Sequence, residues 1–220
     1  MSNGAQIPAA SEPLRLAVSR GTLFDETLDR LDAAGIDTAA MRSDSRALLF
    51  PGERVTVVTL RPSDIPTYVE AGAADLGITG KDVLMEQPER GVYELADLDY
   101  GHCQMIVATR SGNRFAEELE RRLGAVRIAT KYPRVATAYF EESGRQAEVI
   151  EVKGSVELAP ISGLSDAIVD LTATGRTLRE NDLEVRELIA ECSARLIANR
   201  VAHKLRGAEI DDLVTRLSAA

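Results

Sequence analysis

The sequence predicts an α/β fold with two lobes. Short apolar runs of strand length alternate with segments whose apolar residues recur at helical spacing, and the alternation restarts after Asp97. The chain has 220 residues, of which 45% are hydrophobic, and this is enough to bury one large core or two small ones. This composition predicts neither a fibre nor a disordered chain, and the sequence shows no repeat, low-complexity tract or long linker.

The first series of elements starts close to the amino terminus. Leu28 and Leu31 share the apolar face of a predicted helix, and Gly35 is suited to end it. The predicted elements are strands at 14–19, 55–60 and 76–79 and a helix at 23–34, with a further helix capped by Ser63 or Asp64. Residues 1–13 are interpreted as a loose tail.

The second series repeats the pattern. Its predicted elements are strands at 105–109, 126–130, 149–152 and 167–171 and helices at 114–123 and 134–142. Residues 184–200 alternate like a strand or a strand pair, and 208–217 form an amphipathic helix. The apolar stripe of that helix, Ile210, Leu213, Val214 and Leu217, is predicted either to pack on the first lobe or to form an interface.

The strand at 167–171 leads into a loop suited to a phosphorylated sugar. Thr172, Thr174, Gly175 and Thr177 offer hydroxyl groups and a flexible backbone before a possible helix start, and such a turn can hold an anion. Asp170 would repel a phosphate, but it can accept hydrogen bonds from ribose hydroxyls. An ordinary strand, turn and helix cap is the alternative interpretation of this segment alone.

The composition excludes several classes of function. A net charge of −9 and a pI near 4.9 disfavour nonspecific nucleic-acid binding. Two histidines, His102 and His203, lack the spacing of metal ligands, and Cys103 and Cys192 are interpreted as reduced structural thiols. The sequence has neither an apolar run of transmembrane length nor a secretory signal, so we expect no membrane insertion and a cytoplasmic protein.

The loop belongs to a longer string that resembles the signature of ATP phosphoribosyltransferase, the enzyme family that opens histidine biosynthesis. The matching positions are Glu157, Gly163, Ser165, Ile168, Asp170, Leu171, Thr174, Gly175, Thr177 and Leu178. The resemblance continues through 19–23, 60–84, 97–109 and 127–133 in the order of the family and covers nearly everything from 14 to 217. One departure is Arg20-Gly21-Thr22-Leu23, where compared members usually carry Lys-Gly-Arg-Leu.

The resemblance implies a two-lobed fold like that of type II periplasmic binding proteins, with the active site in the cleft between the lobes. It places residues 14–98 and 182–220 in lobe I, on the ATP side, and residues 99–181 in lobe II. The implied reaction joins ATP to 5-phosphoribosyl 1-pyrophosphate and releases pyrophosphate. Mg²⁺ is expected to arrive bound to the substrate phosphates, without protein ligands.

The resemblance also implies roles for individual residues. The implied phosphoribosyl-pyrophosphate ligands are Asp170, Thr172, Ala173, Thr174, Gly175, Arg176 and Thr177. The candidates for ATP are Arg20, Gly21, Arg61, Asp75, Gly80 and Lys81, and the candidates for catalysis are Arg20, Glu157 and Asp170. Lys131 and Lys153 are further cations near the motifs.

Some of these roles have structural alternatives. Arg20 and Lys81 are alternatively solvated surface charges, and Asp75 alternatively serves a helix end or a turn. Glu157 either orients the loop or meets the magnesium-bound diphosphate. Tyr100 and Tyr132 either stack on adenine or belong to the core.

The resemblance is to the short form of the family, which lacks a C-terminal regulatory domain. It implies a homodimer and a hetero-oligomer with a regulatory subunit resembling histidyl-tRNA synthetase. Two other readings stay open from the residues alone: a two-lobed solute-binding or effector-sensing module, and a phosphoribosyltransferase that uses a free base. Release of pyrophosphate from ATP and the phosphoribosyl donor separates them.

Overall fold

The computed structural model describes residues 12–43, 46–112 and 125–219. These residues form two compact units. The first comprises the described residues up to Ile78, Gly91–Ala96 and the described residues from Leu196 onward, and the second comprises Thr79–Arg90 and Asp97–Arg195.

Eleven strands lie in two sheets within the described ranges. They are β1 Leu14–Ser19, β2 Leu49–Phe50, β3 Val55–Leu60, β4 Leu76–Gly80, β5 Val92–Asp97, β6 Cys103–Arg110, β7 Val126–Thr130, β8 Ala147–Glu151, β9 Ala167–Thr172, β10 Leu183–Cys192 and β11 Ala194–Asn199. The helices described are α1 Phe24–Ala33, α2 Ala39–Arg42, α3 Ile65–Glu70, α4 Lys81–Glu86, α5 Pro133–Glu142, α6 Leu158–Ile161, α7 Arg176–Glu180, α8 Arg200–Leu205 and α9 Gly207–Ala219, and a 3₁₀ turn covers Pro62–Asp64.

The six-stranded sheet has the order β2-β3-β1-β4-β11-β5. Strand β1 is parallel to both β3 and β4, and Ser19 at its carboxyl end is paired with Leu60 at the end of β3. Leu16 and Val18 of β1 and Ile78 of β4 are fully buried, as expected for a central parallel strand covered on its faces. The carboxyl ends of β1 and β3 therefore lie side by side at one edge of this sheet.

Helices α1 and α9 pack together in the first unit. Helix α1 buries Leu28 and Leu31, and it ends just before Gly35, whose φ of 78° lies in the left-handed region that glycine tolerates. Ile210, Leu213 and Leu217 of α9 are fully buried. This apolar stripe thus packs within the unit, which was one of its two predicted roles.

The five-stranded sheet of the second unit has the order β10-β6-β9-β7-β8. Strand β6 is antiparallel to β10 and β9, whereas β7 is parallel to β9 and β8. Side chains alternate across these strands and form a core on each face of the sheet. One core contains Met105, Val107 and Val169, and the other contains Ile106 and Ile168. Phe140 of α5 covers the first core, and Leu178 of α7 covers the second.

The predicted α/β class and the series of strands are confirmed. The strands predicted at 14–19, 55–60 and 126–130 have those bounds, and 184–200 resolves into the two strands β10 and β11. The predicted helix at 114–123 lies outside the described residues. The short elements β2, α2, α4, α6 and α8 and strand β5 were not predicted from the sequence.

The unit boundaries differ from the predicted lobe boundaries at 98 and 182. Strand β10 lies in the second unit because it pairs along the whole of β6, from Leu183 opposite Arg110 to Cys192 opposite Cys103. Residues Thr79–Arg90 also lie in the second unit, where α4 packs on α5. Neither pairing is local in sequence, and both place these segments in a different unit from the lobe that the resemblance implied.

Candidate functional site

The second unit places a buried carboxylate at the carboxyl end of β9. The Asp170 side chain is 9% exposed, and its Oδ1 accepts a hydrogen bond of 2.9 Å from the backbone N–H of Leu171. Lys131 follows the neighbouring strand β7, and its Nζ lies 3.7 Å from Asp170 Oδ1. Because β7 and β9 are parallel, both residues lie at the same edge of the sheet.

Burial raises the pKa of Asp170, since the charged form loses hydration. The positive charge of Lys131 opposes this shift, whereas the negative charge of Glu157 adds to it. Glu157 is the residue before α6, so the structure brings two predicted catalytic acids near each other. Asp170 is thus a carboxylate that one lysine compensates only in part, and hydroxyl donors or a cation would stabilise its charge further.

The loop after β9 has a defined backbone. Gly175 adopts a φ of 67°, and its N–H donates to Thr172 Oγ1 across 3.0 Å. The N–H of Arg176 donates to Thr174 Oγ1 at 3.4 Å, and the Arg179 guanidinium donates to the Thr174 carbonyl at 3.0 Å. Both threonine hydroxyls accept within the loop, and each keeps its own O–H to donate to a ligand.

The other predicted loop residues are open to solvent. Ala173, Thr174, Arg176 and Thr177 are all exposed. Arg176 forms an ion pair of 2.7 Å with Glu180, one turn later on α7, so part of its charge is neutralised at the surface. The structure therefore brings together Asp170 and the residues 172–177 that the sequence assigned to the phosphoribosyl donor.

A hydrogen-bonded chain fixes the end of β7 beside this loop. Thr130 Oγ1 donates to the Val169 carbonyl at 2.7 Å and accepts from the Tyr132 N–H at 2.9 Å. The Tyr132 hydroxyl in turn donates to Asp82 Oδ2 on α4 across 3.0 Å. Burial raises the pKa of both Tyr132 and Asp82. Lys131 therefore lies between Thr130 and Tyr132, which these hydrogen bonds fix in place.

Helix α4 also caps helix α5. Pro133 at the start of α5 has no N–H, and the next N–H groups, those of Arg134 and Val135, donate to the carboxylate of Glu86 at 3.0–3.1 Å. A carboxylate at a helix amino terminus satisfies unpaired N–H groups and complements the helix dipole. Asp82 and Glu86 thus fix α5, and with it the segment that carries Lys131.

The first unit holds three of the predicted ATP ligands at the carboxyl ends of β1 and β3. The Arg20 N–H donates to the Leu60 carbonyl at 2.8 Å, so Arg20 lies next to Arg61 at this edge. The Arg20 guanidinium donates to the Ala47 carbonyl at 3.1 Å and lies 5.7 Å from the ring centroid of Phe24. Gly21 and Arg61 are exposed.

Asp75 lies at the other end of the sheet. It precedes β4, and its Oδ2 accepts from the N–H of Arg15, near the start of β1, at 2.8 Å. Its carboxylate also lies 3.7 Å from the guanidinium of Arg206. Strands of this length span roughly 15–20 Å, so the structure does not bring Asp75 together with Arg20 and Arg61. These contacts fit its alternative role at a turn.

Gly80 and Lys81 begin α4 in the second unit. A Cβ atom at Gly80 would lie 2.0 Å from Asp82 Oδ1, so glycine is required for the Asp82 side chain to fold back over the helix start. The Lys81 N–H donates to the Ser193 carbonyl at 3.0 Å. Tyr100, a candidate for stacking on adenine, is 6% exposed and belongs to the core.

Sequence reasoning missed the roles of Asp82 and Glu86. Their partners Tyr132 and Arg134 lie about fifty residues later in the chain, so no local pattern marks them. The one available signal was the sequence Gly80-Lys81-Asp82 directly after a strand. Lys131 was noted as a cation, but its pairing with Asp170 follows only from the parallel register of β7 and β9.

The described residues lack two further kinds of feature. None of their helices combines the length and the apolar character needed to cross a membrane. Nor do the described ranges contain a group of three or more His, Cys, Asp or Glu side chains arranged to hold a metal ion.

The fold and the site together define a two-unit α/β protein of the type II periplasmic-binding-protein class, with a buried acid and a threonine- and glycine-rich loop after a strand. The VFT2 domain of BvgS from Bordetella pertussis shares the fold, with a TM-score of 0.56 over 94% of this chain and 92% of that one at 13% identity. At this identity the likeness concerns the fold alone.

The sequence comparisons give the family. The HisG family, described as ATP phosphoribosyltransferase, matches residues 61–219. The chain is 54% identical to an ATP phosphoribosyltransferase of Rubrobacter xylanophilus, over 91% of this chain and 93% of the relative, and 46% identical to one of Geobacillus kaustophilus, over 94% and 97%. The chain belongs to the ATP phosphoribosyltransferase family, the pentosyltransferases of the first step of histidine biosynthesis.

A solved structure agrees with this assignment. The ATP phosphoribosyl transferase (HisG:HisZ) complex from Thermotoga maritima contains a chain that superposes with a TM-score of 0.80. That chain is 34% identical, with 94% of this chain and 96% of that chain covered.

Proposed function

We propose that this chain catalyses the transfer of a phosphoribosyl group from 5-phosphoribosyl 1-pyrophosphate to N1 of the adenine of ATP. The observation that carries the proposal is the buried carboxylate of Asp170, two residues before a loop that presents threonine hydroxyls and a left-handed glycine. A phosphorylated sugar supplies hydroxyls for the acid and a phosphate for the loop.

Asp170 and the loop bind different parts of the phosphoribosyl donor. The Asp170 carboxylate accepts hydrogen bonds from the ribose hydroxyls, and these bonds replace part of the hydration that burial removed. The backbone and hydroxyl groups of residues 172–177 bind the 5′-phosphate. In an acidic chain such as this one, N–H and O–H donors hold an anion without a cluster of lysines.

The leaving group needs positive charge. When the bond between N1 and ribose C1 forms and the bond from C1 to the diphosphate oxygen breaks, the electron pair departs with pyrophosphate. Mg²⁺ would arrive bound to the donor phosphates, and Glu157 would either meet this magnesium-bound diphosphate or orient the loop. Lys131 adds a positive charge at the same strand end.

The nucleophile needs placement more than activation, since adenine N1 carries a free lone pair. In the first unit, Arg20, Gly21 and Arg61 lie together at the ends of β1 and β3 and offer two cations and an exposed backbone to the phosphates of ATP. Gly80 and Lys81, at the start of α4, are assigned to the same substrate. The proposal includes no general base.

We also propose a regulatory partner subunit and a cellular location for this chain. The Thermotoga maritima relative was solved as a HisG:HisZ complex, and we assign to this chain a homodimer and a hetero-oligomer with a regulatory subunit of that kind. Histidine inhibition is expected only in the hetero-oligomer. Because both substrates are cytoplasmic metabolites, the enzyme is assigned to the cytoplasm.

The test is pyrophosphate release by the purified chain. Release is expected only when ATP, the phosphoribosyl donor and Mg²⁺ are all present, together with the change in adenine ultraviolet absorbance that N1 substitution causes. Equal turnover with a free nucleobase in place of ATP would assign the chain to another transferase class. Binding of a substrate without any turnover would assign it to the binding modules.

A further inference from the structure

We propose that Cys103 and Cys192 form a redox modification site, in which a hydroperoxide converts the two thiols into a disulfide between strands β6 and β10. The inference goes beyond the transferase reaction and does not depend on it. Both cysteines are free thiols in the structure, and they are the two cysteines of the sequence.

The strand register places the two residues directly opposite each other. Cys103 begins β6 and Cys192 ends β10, and the antiparallel ladder pairs them. Directly opposed residues of an antiparallel pair have Cα atoms about 4.5–5.5 Å apart. Disulfides span Cα separations of about 4.4–6.8 Å, so the separation of either kind of opposed pair lies within the range that the bond requires.

Neighbouring contacts confirm that the two thiols share a face. The next pair along the ladder, Gln104 and Glu191, is hydrogen-bonded through its side chains at 2.9 Å on the outer face. Side chains alternate across a strand, so Cys103 and Cys192 point to the opposite face with Met105. Cys192 belongs to the core on that face, and Cys103 packs against it.

The two thiols differ in solvent exposure and in the direction of their pKa shifts, and these differences decide which thiol reacts first. Cys192 is 3% exposed, whereas Cys103 is partly open to solvent. The hydrogen bond from the Cys192 thiol lowers the pKa of Cys103, and the same contact together with burial raises the pKa of Cys192. Cys103 is therefore the thiolate that a hydroperoxide meets first, and Cys192 is the resolving thiol.

The reaction balances in two steps. The Cys103 thiolate attacks one peroxide oxygen, the O–O bond breaks, and a protonated leaving oxygen departs as water, which leaves a sulfenic acid on Cys103. The sulfur of Cys192 then attacks the Cys103 sulfur, the S–O bond breaks, and the oxygen leaves as a second water with the proton of Cys192. Two thiols and one hydroperoxide thus give one disulfide and two waters when the oxidant is hydrogen peroxide.

The cysteine pair lies near the loop after β9 and near the hydrogen-bonded pair of Tyr132 and Asp82. On its other side β6 pairs with β9, where Gln104 is opposite Thr172, the first residue of the loop. The charges of Asp82 and of the Cys103 thiolate also act on each other, and the Cys103 thiolate raises the pKa of Tyr132. Oxidation would remove a thiolate from the surroundings of the Tyr132 hydroxyl.

The experiment treats the reduced, folded full chain with hydrogen peroxide and counts free thiols after denaturation. The expected result is a fall from two thiols per chain to none, a monomeric band on a non-reducing gel, and a Cys103–Cys192 linked peptide by mass spectrometry, with both thiols restored by dithiothreitol. Disulfide-linked dimers, oxidation of Cys103 to sulfinic acid with Cys192 intact, or no thiol loss would each overturn the proposal.

Two variants assign the order of attack. Cys192→Ser is expected to stop at a sulfenic acid on Cys103 that dimedone traps, whereas Cys103→Ser is expected to keep its Cys192 thiol under the same peroxide dose. Loss of the Cys192 thiol in Cys103→Ser at the wild-type rate would overturn the assignment of Cys103 as the attacking group. If either variant fails to fold, the wild-type peptide map still decides whether the bond forms.

Discussion

The hydroxyl of Tyr132 donates a hydrogen bond of 3.0 Å to Asp82 Oδ2 and thereby joins the residue after Lys131 to helix α4. Both groups are largely buried, and burial raises the pKa of each. The bond stabilises a carboxylate that has lost its hydration, so its removal takes away one donor and leaves the backbone N–H groups of Val83 and Asp82. The Tyr132 side chain does not itself cap α5, whose first N–H groups donate to Glu86, and its hydroxyl instead anchors the turn through Asp82.

Tyr132→Phe is expected to lower the free energy of unfolding by about 1–3 kcal/mol, because Asp82 loses this donor. The raised pKa of Asp82 sets the sign of the pH dependence: the folded protein holds this proton more tightly than the unfolded chain. Stability therefore falls as the pH rises from the unfolded pKa of Asp82 through its folded pKa.

Urea unfolding at a series of pH values checks this prediction. Asp82→Asn keeps a hydrogen-bond acceptor and has no charge to bury, so it should abolish the Asp82 contribution to the pH dependence. A Tyr132→Phe protein as stable as the wild type would contradict the anchor role.

Asp170→Asn is expected to weaken binding of the phosphoribosyl donor at least about tenfold, because hydrogen bonds to a charged group contribute about 1.5–3 kcal/mol. Stability should not fall in parallel, since burial raises the pKa of Asp170 and so disfavours its charged form in the fold. The measurement is KM for the donor beside urea unfolding at neutral pH.

Asp166→Asn serves as the matched control. Asp166 precedes β9, at the strand end away from the loop, and holds the N–H and guanidinium of Arg127 at 3.0 and 3.2 Å. This variant should lose stability and keep its KM for the donor. Unchanged kinetics in Asp170→Asn would remove Asp170 from the site.

Gly175→Ala is expected to impair the loop through its backbone. At a φ of 67° a residue with a Cβ costs about 1–2 kcal/mol, and this Cβ would lie 3.0 Å from the Arg179 guanidinium that supports Thr174. Donor binding should weaken with that strain. Gly154→Ala is the control, because its Cβ would meet no atom within 4 Å, and an equal loss in both variants would argue against a special role for Gly175.

Glu86→Ala tests the cap of α5. Loss of a helix cap costs about 0.5–2 kcal/mol, and urea unfolding should show a change of that size. Glu89→Ala is matched in residue type: Glu89 is 85% exposed and lies 3.7 Å from the Arg134 guanidinium. An exposed ion pair contributes about 1 kcal/mol at most, so a larger loss in Glu89→Ala than in Glu86→Ala would contradict the cap.

Local sequence predicted the strands of this fold well, because largely apolar runs such as 105–109 are buried on both faces and carry the pattern themselves. The contents of the candidate loop were also predictable, since Asp170, the threonines and Gly175 lie within eight residues. What sequence could not predict depends on register: the partner of Lys131, the cap supplied by Glu86, and the place of β10 beside β6. These pairings are set by contacts between segments far apart in the chain.

Asp75 shows the same limit for a single residue. The resemblance implied that Asp75 binds ATP, but register places it at the amino end of the sheet, where it contacts the N–H of Arg15 and the guanidinium of Arg206. Arg20 and Arg61 lie at the carboxyl ends of β1 and β3.

Asp75→Ala is therefore expected to lower the free energy of unfolding by about 1–3 kcal/mol, because the Arg15 N–H loses its acceptor, and to leave the KM for ATP at its wild-type value. Arg61→Ala should give the reverse pattern, a raised KM for ATP with little change in stability, because its side chain is exposed at the proposed phosphate site. Steady-state kinetics with varied ATP, together with urea unfolding of both variants, separate the two roles. A raised KM for ATP in a stable Asp75→Ala protein would restore Asp75 to the ATP ligands and would show that its contacts at the sheet end are secondary.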